Sequence, residues 1–333
     1  MADSTRPEEE SRSGNKKVLL LLLLLILLVG AGVGGYYYIR QRNLNKQQKN
    51  YEDLKNKAFA ERTLTPTAVQ TLAVTATTAP TDPVEEPSPA APTEALPTAT
   101  PTPTPTPEPT AEEILLAALM EEYESYFTIL PDFNILHEEN EDVFAYIAVP
   151  DTIIDYPILA SEVEDYYLNH NIDGTKGYPG CLYIQNCNNR DLNDGFTIIY
   201  GHNMKNGTMF GSLKNYKTED FRISHPYFFV YTEDRVLVYE IVLTSHFSTE
   251  HLLAEDYVKK DGKWVFDKFD GYETSRLIRK AQAEDGDAFV ASPEPTDDDT
   301  ILVLSTCGDG KRYGVVGRRV LEVPVEEVPA PQE

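Results

Sequence analysis

The chain is short of cysteine and of positive charge. Its 333 residues include three cysteines, Cys181, Cys187 and Cys307, and its 29 Lys and Arg against 54 Asp and Glu give a formal net charge of −25. Nucleic-acid binding needs clustered Lys and Arg to neutralise phosphates, so this composition argues against it. Three cysteines are too few, and an odd number, for a disulfide framework. The sequence does not decide whether Cys181 and Cys187 are two separate buried thiols or an optional disulfide pair.

Motifs for metal ions and for nucleotide phosphates are also missing. The sequence contains no H-x-x-x-H, no paired C-x-x-C and no glycine-rich phosphate loop. The acidic stretches 285–289 and 295–300 are typical of solvated turns and are not dense enough for a calcium loop. We therefore expect neither a metal site nor an organic cofactor.

One long apolar segment is present near the N-terminus. Residues 18–39, VLLLLLLLILLVGAGVGGYYYI, are uncharged and long enough to cross a bilayer as a helix. A cleaved signal peptide is the alternative, but its apolar core is shorter and ends at an A-x-A-like site, which this segment lacks. We predict an uncleaved single-pass transmembrane anchor that follows a cytoplasmic tail, residues 1–17.

A Thr/Pro/Ala-rich tract, residues 63–111, follows a juxtamembrane segment, residues 40–62. The tract has no apolar periodicity, so it cannot bury a core, and its composition predicts an extended, disordered stalk. Lysines and arginines flank the anchor on both sides and do not decide its orientation. Because a stalk is most useful outside the cell, we predict that the domain beyond it is extracellular.

Residues 112–325 have the composition of one folded domain, with a short C-terminal tail, residues 326–333. Helical periodicity predicts helices over 112–127 and 272–282. Eight segments rich in β-branched and aromatic residues predict strands at 143–149, 152–158, 181–184, 196–200, 227–232, 235–243, 300–306 and 313–323. Asp261-Gly262 predicts a further hairpin. This mainly β pattern is typical of a closed barrel or a sandwich.

Cys307 ends the apolar strand TILVLST, and two readings of it stay open from the residues alone. It is either a buried structural cysteine or a nucleophile presented at the end of a strand. A nucleophilic thiol needs a basic or cationic neighbour. His202 follows the strand FTIIY, and Arg312 opens the last strand, so both are candidates for that role.

Four ordered segments resemble the class B sortases, which are membrane-anchored cysteine transpeptidases of Gram-positive bacteria. They are DYYLNHNIDG (165–174), TIIYGHNMKNGTMFGSL (197–213), HPYFFVYTEDRVLVYEI (225–241) and LVLSTC (302–307). The resemblance implies an eight-stranded β-barrel with an N-terminal helix and a helix-bearing insertion before the cysteine strand.

The same resemblance implies roles for individual residues. Cys307 would be the nucleophile, His202 the acid/base partner and Arg312 the oxyanion-stabilising residue, with Arg318 in reserve because only four residues separate Cys307 from Arg312. Ser305 and Leu168 would bind the peptide substrate.

The implied reaction cleaves a sorting signal near the C-terminus of a secreted protein through a thioacyl intermediate. The Thr carboxyl then passes to an amine of a cell-wall precursor or of a pilin-like protein. Two alternatives stay open: a thiol peptidase that releases its product by hydrolysis, and a non-catalytic surface protein on a stalk.

Overall fold

Strands dominate the chain after residue 142. A computed structural model describes residues 7–60, 109–248, 252, 257–260, 263–266, 273–308 and 310–327. Its helices are α1 (Pro7–Ala60), α2 (Ala111–Thr128), α3 (Phe133–Glu139), α4 (Glu219–Ser224) and α5 (Thr274–Glu284). Its strands are β1 (Val143–Ala148), β2 (Asp155–Leu159), β3 (Leu182–Ile184), β4 (Phe196–Tyr200), β5 (Tyr227–Tyr231), β6 (Arg235–Phe247), β7 (Tyr257–Lys260), β8 (Lys263–Phe266), β9 (Phe289–Val290), β10 (Ile301–Gly308) and β11 (Lys311–Pro324).

Eight of these strands close into a barrel. The strand order is β11-β10-β4-β3-β2-β1-β5-β6, and β11 also pairs with β6, which joins the two ends of the sheet. Short β9 pairs with β6 beside the closed ring. The predicted eight-stranded barrel is confirmed, and closure leaves no free edge among these eight strands.

The predicted strands and helices correspond to observed ones. Each of the eight predicted strand segments overlaps one barrel strand, and the helix predicted over 112–127 is α2. Thr110 caps α2 in a capping box with Glu113, which fixes its first turn. Helix α5 lies in the connection before β10, where an insertion with a helix was expected. The second hairpin is β7 with β8, and its turn, 261–262, lies outside the described residues.

Helix α1 continues well beyond the predicted anchor. The helix includes a candidate membrane span, Leu20–Ala60, and the apolar window in it is fully exposed. From residue 44 onward one face of α1 packs on the barrel domain, with Gln47, Tyr51, Leu54 and Ala58 all buried. The predicted juxtamembrane segment, residues 40–62, is thus helical as far as residue 60 and docked in part, which its composition did not predict. The stalk predicted at 63–111 falls almost wholly outside the described residues, so it stays a prediction.

Candidate active site

The parallel pairing of β4 with β10 brings two distant parts of the chain to one edge of the barrel. The register runs from Phe196 opposite Ile301 to Tyr200 opposite Ser305. The Gly201 N–H donates to the Ser305 carbonyl, and the Thr306 hydroxyl donates to the Gly201 carbonyl at 2.7 Å. His202 and Cys307 each lie two residues beyond the last register pair. Because parallel strands run in the same direction, both residues are presented at the same edge.

A tight hairpin places Arg312 beside Cys307. Strands β10 and β11 are antiparallel, and Cys307 is the direct register partner of Arg312. The last register pair is Gly308 with Lys311, three positions apart in the chain. Directly opposed residues have Cα atoms about 4.5–5.5 Å apart and side chains on the same face. The short spacing between Cys307 and Arg312 is therefore what brings them together.

The three cysteines have different environments, and all three are free thiols. Cys181 is buried, Cys187 is half-buried and Cys307 is exposed. Burial raises the pKa of both Cys181 and Cys187 to about 12. Of the two readings of Cys307 that the sequence left open, the exposed position at the strand end is inconsistent with a buried structural cysteine.

Both ring nitrogens of His202 have partners in the segment 166–180. Nε2 lies 2.7 Å from the Leu168 carbonyl oxygen, and Nδ1 lies 3.3 Å from the Tyr178 hydroxyl. A carbonyl can only accept, so Nε2 carries the proton, and in the neutral ring Nδ1 accepts from Tyr178. The Tyr178 ring also packs on the imidazole, with 4.5 Å between centroids. These contacts fix both the tautomer and the orientation of the ring.

Burial lowers the pKa of His202 below its usual value, and the hydrogen bond to the Leu168 carbonyl opposes this shift. The neutral imidazole is thus favoured in this arrangement. A neutral ring can take a proton from a thiol, and it then becomes the acid for a leaving group.

Gly201 fixes the backbone between β4 and His202. A Cβ atom at this position would lie 2.7 Å from a ring carbon of buried Phe210 and would overlap the side chain of buried Leu182. The Phe210 N–H also donates to the His202 carbonyl. The absence of a side chain at residue 201 is therefore needed for His202 to follow the strand this closely.

The ring of Tyr200 packs beside the candidate cation, Arg312. The guanidinium carbon of Arg312 lies 5.5 Å from the centre of the Tyr200 ring, within cation–π range. Tyr200 is the register partner of Tyr183 on β3. Burial and the Asp165 carboxylate raise the pKa of Tyr183, and the Arg312 guanidinium opposes this shift.

The reserve candidate lies at the other end of the same hairpin. Arg318 is the register partner of Ile301, and it forms an ion pair of 2.6 Å with Glu240 on β6. Arg312, and not Arg318, is the arginine next to Cys307.

The two predicted substrate-binding residues differ in exposure. Ser305 is on the same strand face as Cys307 but is 1% exposed, and its Oγ has no hydrogen-bond partner among the described residues. Leu168 is 38% exposed and lies beside His202 through its carbonyl. Their contact with a peptide stays a prediction.

Three tyrosines of the site were not found by sequence analysis. Tyr200 directly precedes the Gly-His pair, which was a usable signal, and Tyr183 lies in the strand segment CLYI. Tyr178 lies in a loop 24 residues before His202 in the chain, and only the fold brings it to the imidazole.

Comparison with known proteins decides the family. The Sortase domain family matches residues 147–321, which is slightly more than half of the chain and includes Cys307, His202 and Arg312. The chain belongs to the sortase family. Sortase B of Listeria monocytogenes is 33% identical over 187 residues, which cover 56% of this chain and 71% of that protein. Sortase B of Staphylococcus aureus is 24% identical over 206 residues, which cover 62% of this chain and 78% of that protein.

Solved structures of sortases B are also similar to this sortase. The structure of sortase B from Listeria monocytogenes is 30% identical, covers 55% of this chain and 97% of that chain, and has a TM-score of 0.45. The structure of sortase B from Clostridium perfringens is 26% identical, covers 56% of this chain and 99% of that chain, and has a TM-score of 0.46. The predicted class B sortase, a cysteine transpeptidase, is confirmed by the family match and the curated relatives. Neither the hydrolase nor the non-catalytic alternative is favoured.

Proposed function

We propose that Cys307 is the nucleophile, His202 the acid/base and Arg312 the oxyanion donor of this sortase. One observation carries the proposal: two strand ends and one tight hairpin bring these residues to one barrel edge, with the thiol exposed. Sortases act on sorting-signal substrates and amine acceptors, and the assignment gives each step of that reaction a group on this chain.

In the first step the Cys307 sulfur attacks the Thr carbonyl carbon of a sorting signal. The thiol proton passes to neutral His202, and the protonated ring then gives it to the leaving amine as the C–N bond breaks. A thioester on Cys307 remains. For this transfer His202 exchanges its bond to Leu168 or Tyr178 for one to the reacting atoms.

In the second step an incoming amine attacks the thioester carbon. The amine loses a proton to His202, a new C–N bond forms and the C–S bond breaks, which regenerates the thiol of Cys307. Both steps pass through a tetrahedral oxyanion. Arg312 donates to this oxygen, because its guanidinium stays charged throughout and its position is held by the Tyr200 ring.

The substrate is the sorting signal of a secreted protein, and the acceptor is an amine of a cell-wall precursor or of a pilin-like protein. Leu168, which is 38% exposed, lines the path of the peptide toward Cys307, and buried Ser305 supports that path from beneath, on the same strand face as Cys307. The catalytic domain lies on the outer side of the membrane, where secreted substrates arrive. Helix α1 supports membrane anchoring by its exposed apolar window.

The test is intact-mass detection of a covalent adduct between the protein and a panel of candidate sorting peptides. We expect an acyl adduct on the wild type and on Cys181→Ala, and none on Cys307→Ala. An adduct of equal yield on Cys307→Ala would overturn the assignment of the nucleophile. Product ratios with and without an added amine separate transfer from hydrolysis, since only transfer makes the new amide.

A further inference from the structure

The docked part of helix α1 connects the membrane anchor directly to the active-site side of the barrel. The predicted span ends at Ile39, and the guanidinium carbon of the next residue, Arg40, lies 5.0 Å from the centre of the Tyr178 ring. Tyr178 in turn packs on His202 with 4.5 Å between ring centroids. The anchor thus ends within two side-chain contacts of the imidazole.

Further contacts along α1 hold this arrangement in place. The Tyr51 hydroxyl donates to the Gly180 carbonyl at 3.0 Å, and Gln47 donates to Asp173 at 3.2 Å. Lys55 forms an ion pair with Asp155 on β2. These partners lie on the segment that holds His202 and on the barrel itself, so the contacts oppose rotation or tilting of the helix relative to the domain.

The C-terminal end of α1 is fixed as well. Ala58 is fully buried, and its carbonyl accepts the N–H of Asp132 at 2.8 Å. The buried positions 47, 51, 54 and 58 recur every three or four residues, which is one face of a helix. Because the docked face belongs to the same helix as the membrane span, the direction of the span determines the orientation of the barrel.

The position of Arg40 sets a depth for the active site. An Arg side chain directly after a span extends its guanidinium to the level of the lipid headgroups. The headgroup layer is about 5–8 Å thick on each side of the hydrocarbon. The two ring contacts place the imidazole within about 10 Å of the Arg40 guanidinium carbon. An Arg40 guanidinium at headgroup level therefore puts His202 within about 10 Å of that level.

The charge of this part of α1 suits a lipid surface. Residues 40–51 contain Arg40, Arg42, Lys46 and Lys49 and no acidic residue, although the whole chain has a net charge of −25. Where a leaflet carries anionic headgroups, it attracts basic residues next to a span. The local basic charge and the docking face therefore both favour a position of the domain at the lipid surface.

We propose that docked α1 holds the His202 edge of the barrel against the membrane surface, so that the reaction takes place at the lipid headgroups. The partner of this surface is the bilayer itself. The claim goes beyond the proposed function, since it concerns where the site is held and does not depend on which peptide or amine reacts.

Energy transfer from Cys307 to the lipid headgroups tests the claim. The full chain, with Cys187→Ser to leave one accessible thiol, is labelled on exposed Cys307 with a donor fluorophore and reconstituted in nanodiscs that carry acceptor-labelled headgroups. Strong transfer is expected. Weak transfer in this sample alone would overturn the proposal.

A matched pair of variants tests whether docking is the cause. Ala58→Asp places a carboxylate in the buried face of α1, whereas Asn56→Asp places the same charge on its exposed face. If docking is lost, only residues 61–108 join anchor and domain, with a contour on the order of 150 Å. We expect transfer to fall by roughly half or more in Ala58→Asp and to be unchanged in Asn56→Asp.

Cleavage of a soluble sorting peptide by the unlabelled variants shows whether the barrel is intact. Retained cleavage with reduced transfer in Ala58→Asp supports the proposal. Equal transfer in both variants, with cleavage retained, would show that α1 does not hold the domain at the membrane. Loss of cleavage in the wild type would contradict the proposed function. The energy-transfer result would still decide whether α1 holds the domain at the membrane.

Discussion

Cys181 and Cys307 are the same residue type in two regions of one barrel, and their surroundings differ in every respect that matters for reactivity. Cys181 directly precedes β3, is 1% exposed and donates from Sγ to the His170 carbonyl at 3.3 Å. Cys307 is near the end of β10, is exposed and lies opposite Arg312. An exposed position at a strand end, and not the presence of a thiol near a histidine, therefore marks the candidate nucleophile.

Removal of each thiol in turn should give the largest difference between the two regions. Cys307→Ala should lower kcat/KM for a sorting peptide by about 10³-fold or more, because no other group takes over the nucleophile. Cys181→Ala should leave activity nearly unchanged and lower the free energy of unfolding by about 1–2 kcal/mol, since it removes buried packing. Peptide kinetics and denaturant unfolding measure the two effects. A large loss of activity in Cys181→Ala with normal stability would contradict the comparison.

The histidines of the two regions give the next test. His202→Gln should reduce kcat by about 10²–10⁴-fold, since it removes the group that moves the proton. His170→Gln, in the Cys181 region, should change kcat little, because only its backbone carbonyl contacts that thiol. Steady-state kinetics on both variants distinguish them, and equal losses would show that the segment as a whole, and not the His202 ring, matters.

The arginines at the two ends of the β10–β11 hairpin sharpen the contrast. Arg312→Lys should lower kcat by about 10–100-fold, because an ammonium replaces a planar, fixed donor. Arg318→Lys serves as the matched control, since Arg318 is paired with Glu240 far from the thiol. Comparable rates for wild type and Arg312→Lys would contradict a role for Arg312 as the oxyanion donor.

Tyr178→Phe tests the smallest effect, the hydroxyl contact to Nδ1 of His202. The hydroxyl stabilises the neutral ring, so its loss should raise the pKa of His202 from its lowered value. The limb of the pH–rate profile that reports His202 should then move to higher pH, with about a two- to fivefold change in kcat/KM at neutral pH. A profile measured for Tyr166→Phe, whose ring stacks on His170, is the control. An unshifted profile for Tyr178→Phe would show that the contact has no influence on the ring.

The eight strands could be predicted because each combines β-branched and aromatic residues with turn residues at its ends. Cys307 and His202 could be predicted because each follows such a strand within a family motif. The parallel register that aligns them could not be read from the sequence, since β4 and β10 are about a hundred residues apart and the pairing depends on barrel closure.

Two other features were beyond sequence reasoning for different physical reasons. The docking face of α1 includes Gln47, a polar residue that is buried because it bonds to Asp173, so the apolar periodicity of residues 44–58 is broken. The short connection from Cys307 to Arg312 suggested a departure from the family pattern. It is a tight hairpin, and the constraint of that turn is what sets the two residues opposite each other.

Gly201 has a consequence for how freely this enzyme can change. A single added methyl group at that residue would meet Phe210 and Leu182, both of which are enclosed on all sides. In a library randomised at codon 201 and selected for surface display of a tagged protein, glycine alone should survive. The most constrained position of the catalytic edge is thus one that contributes no functional group.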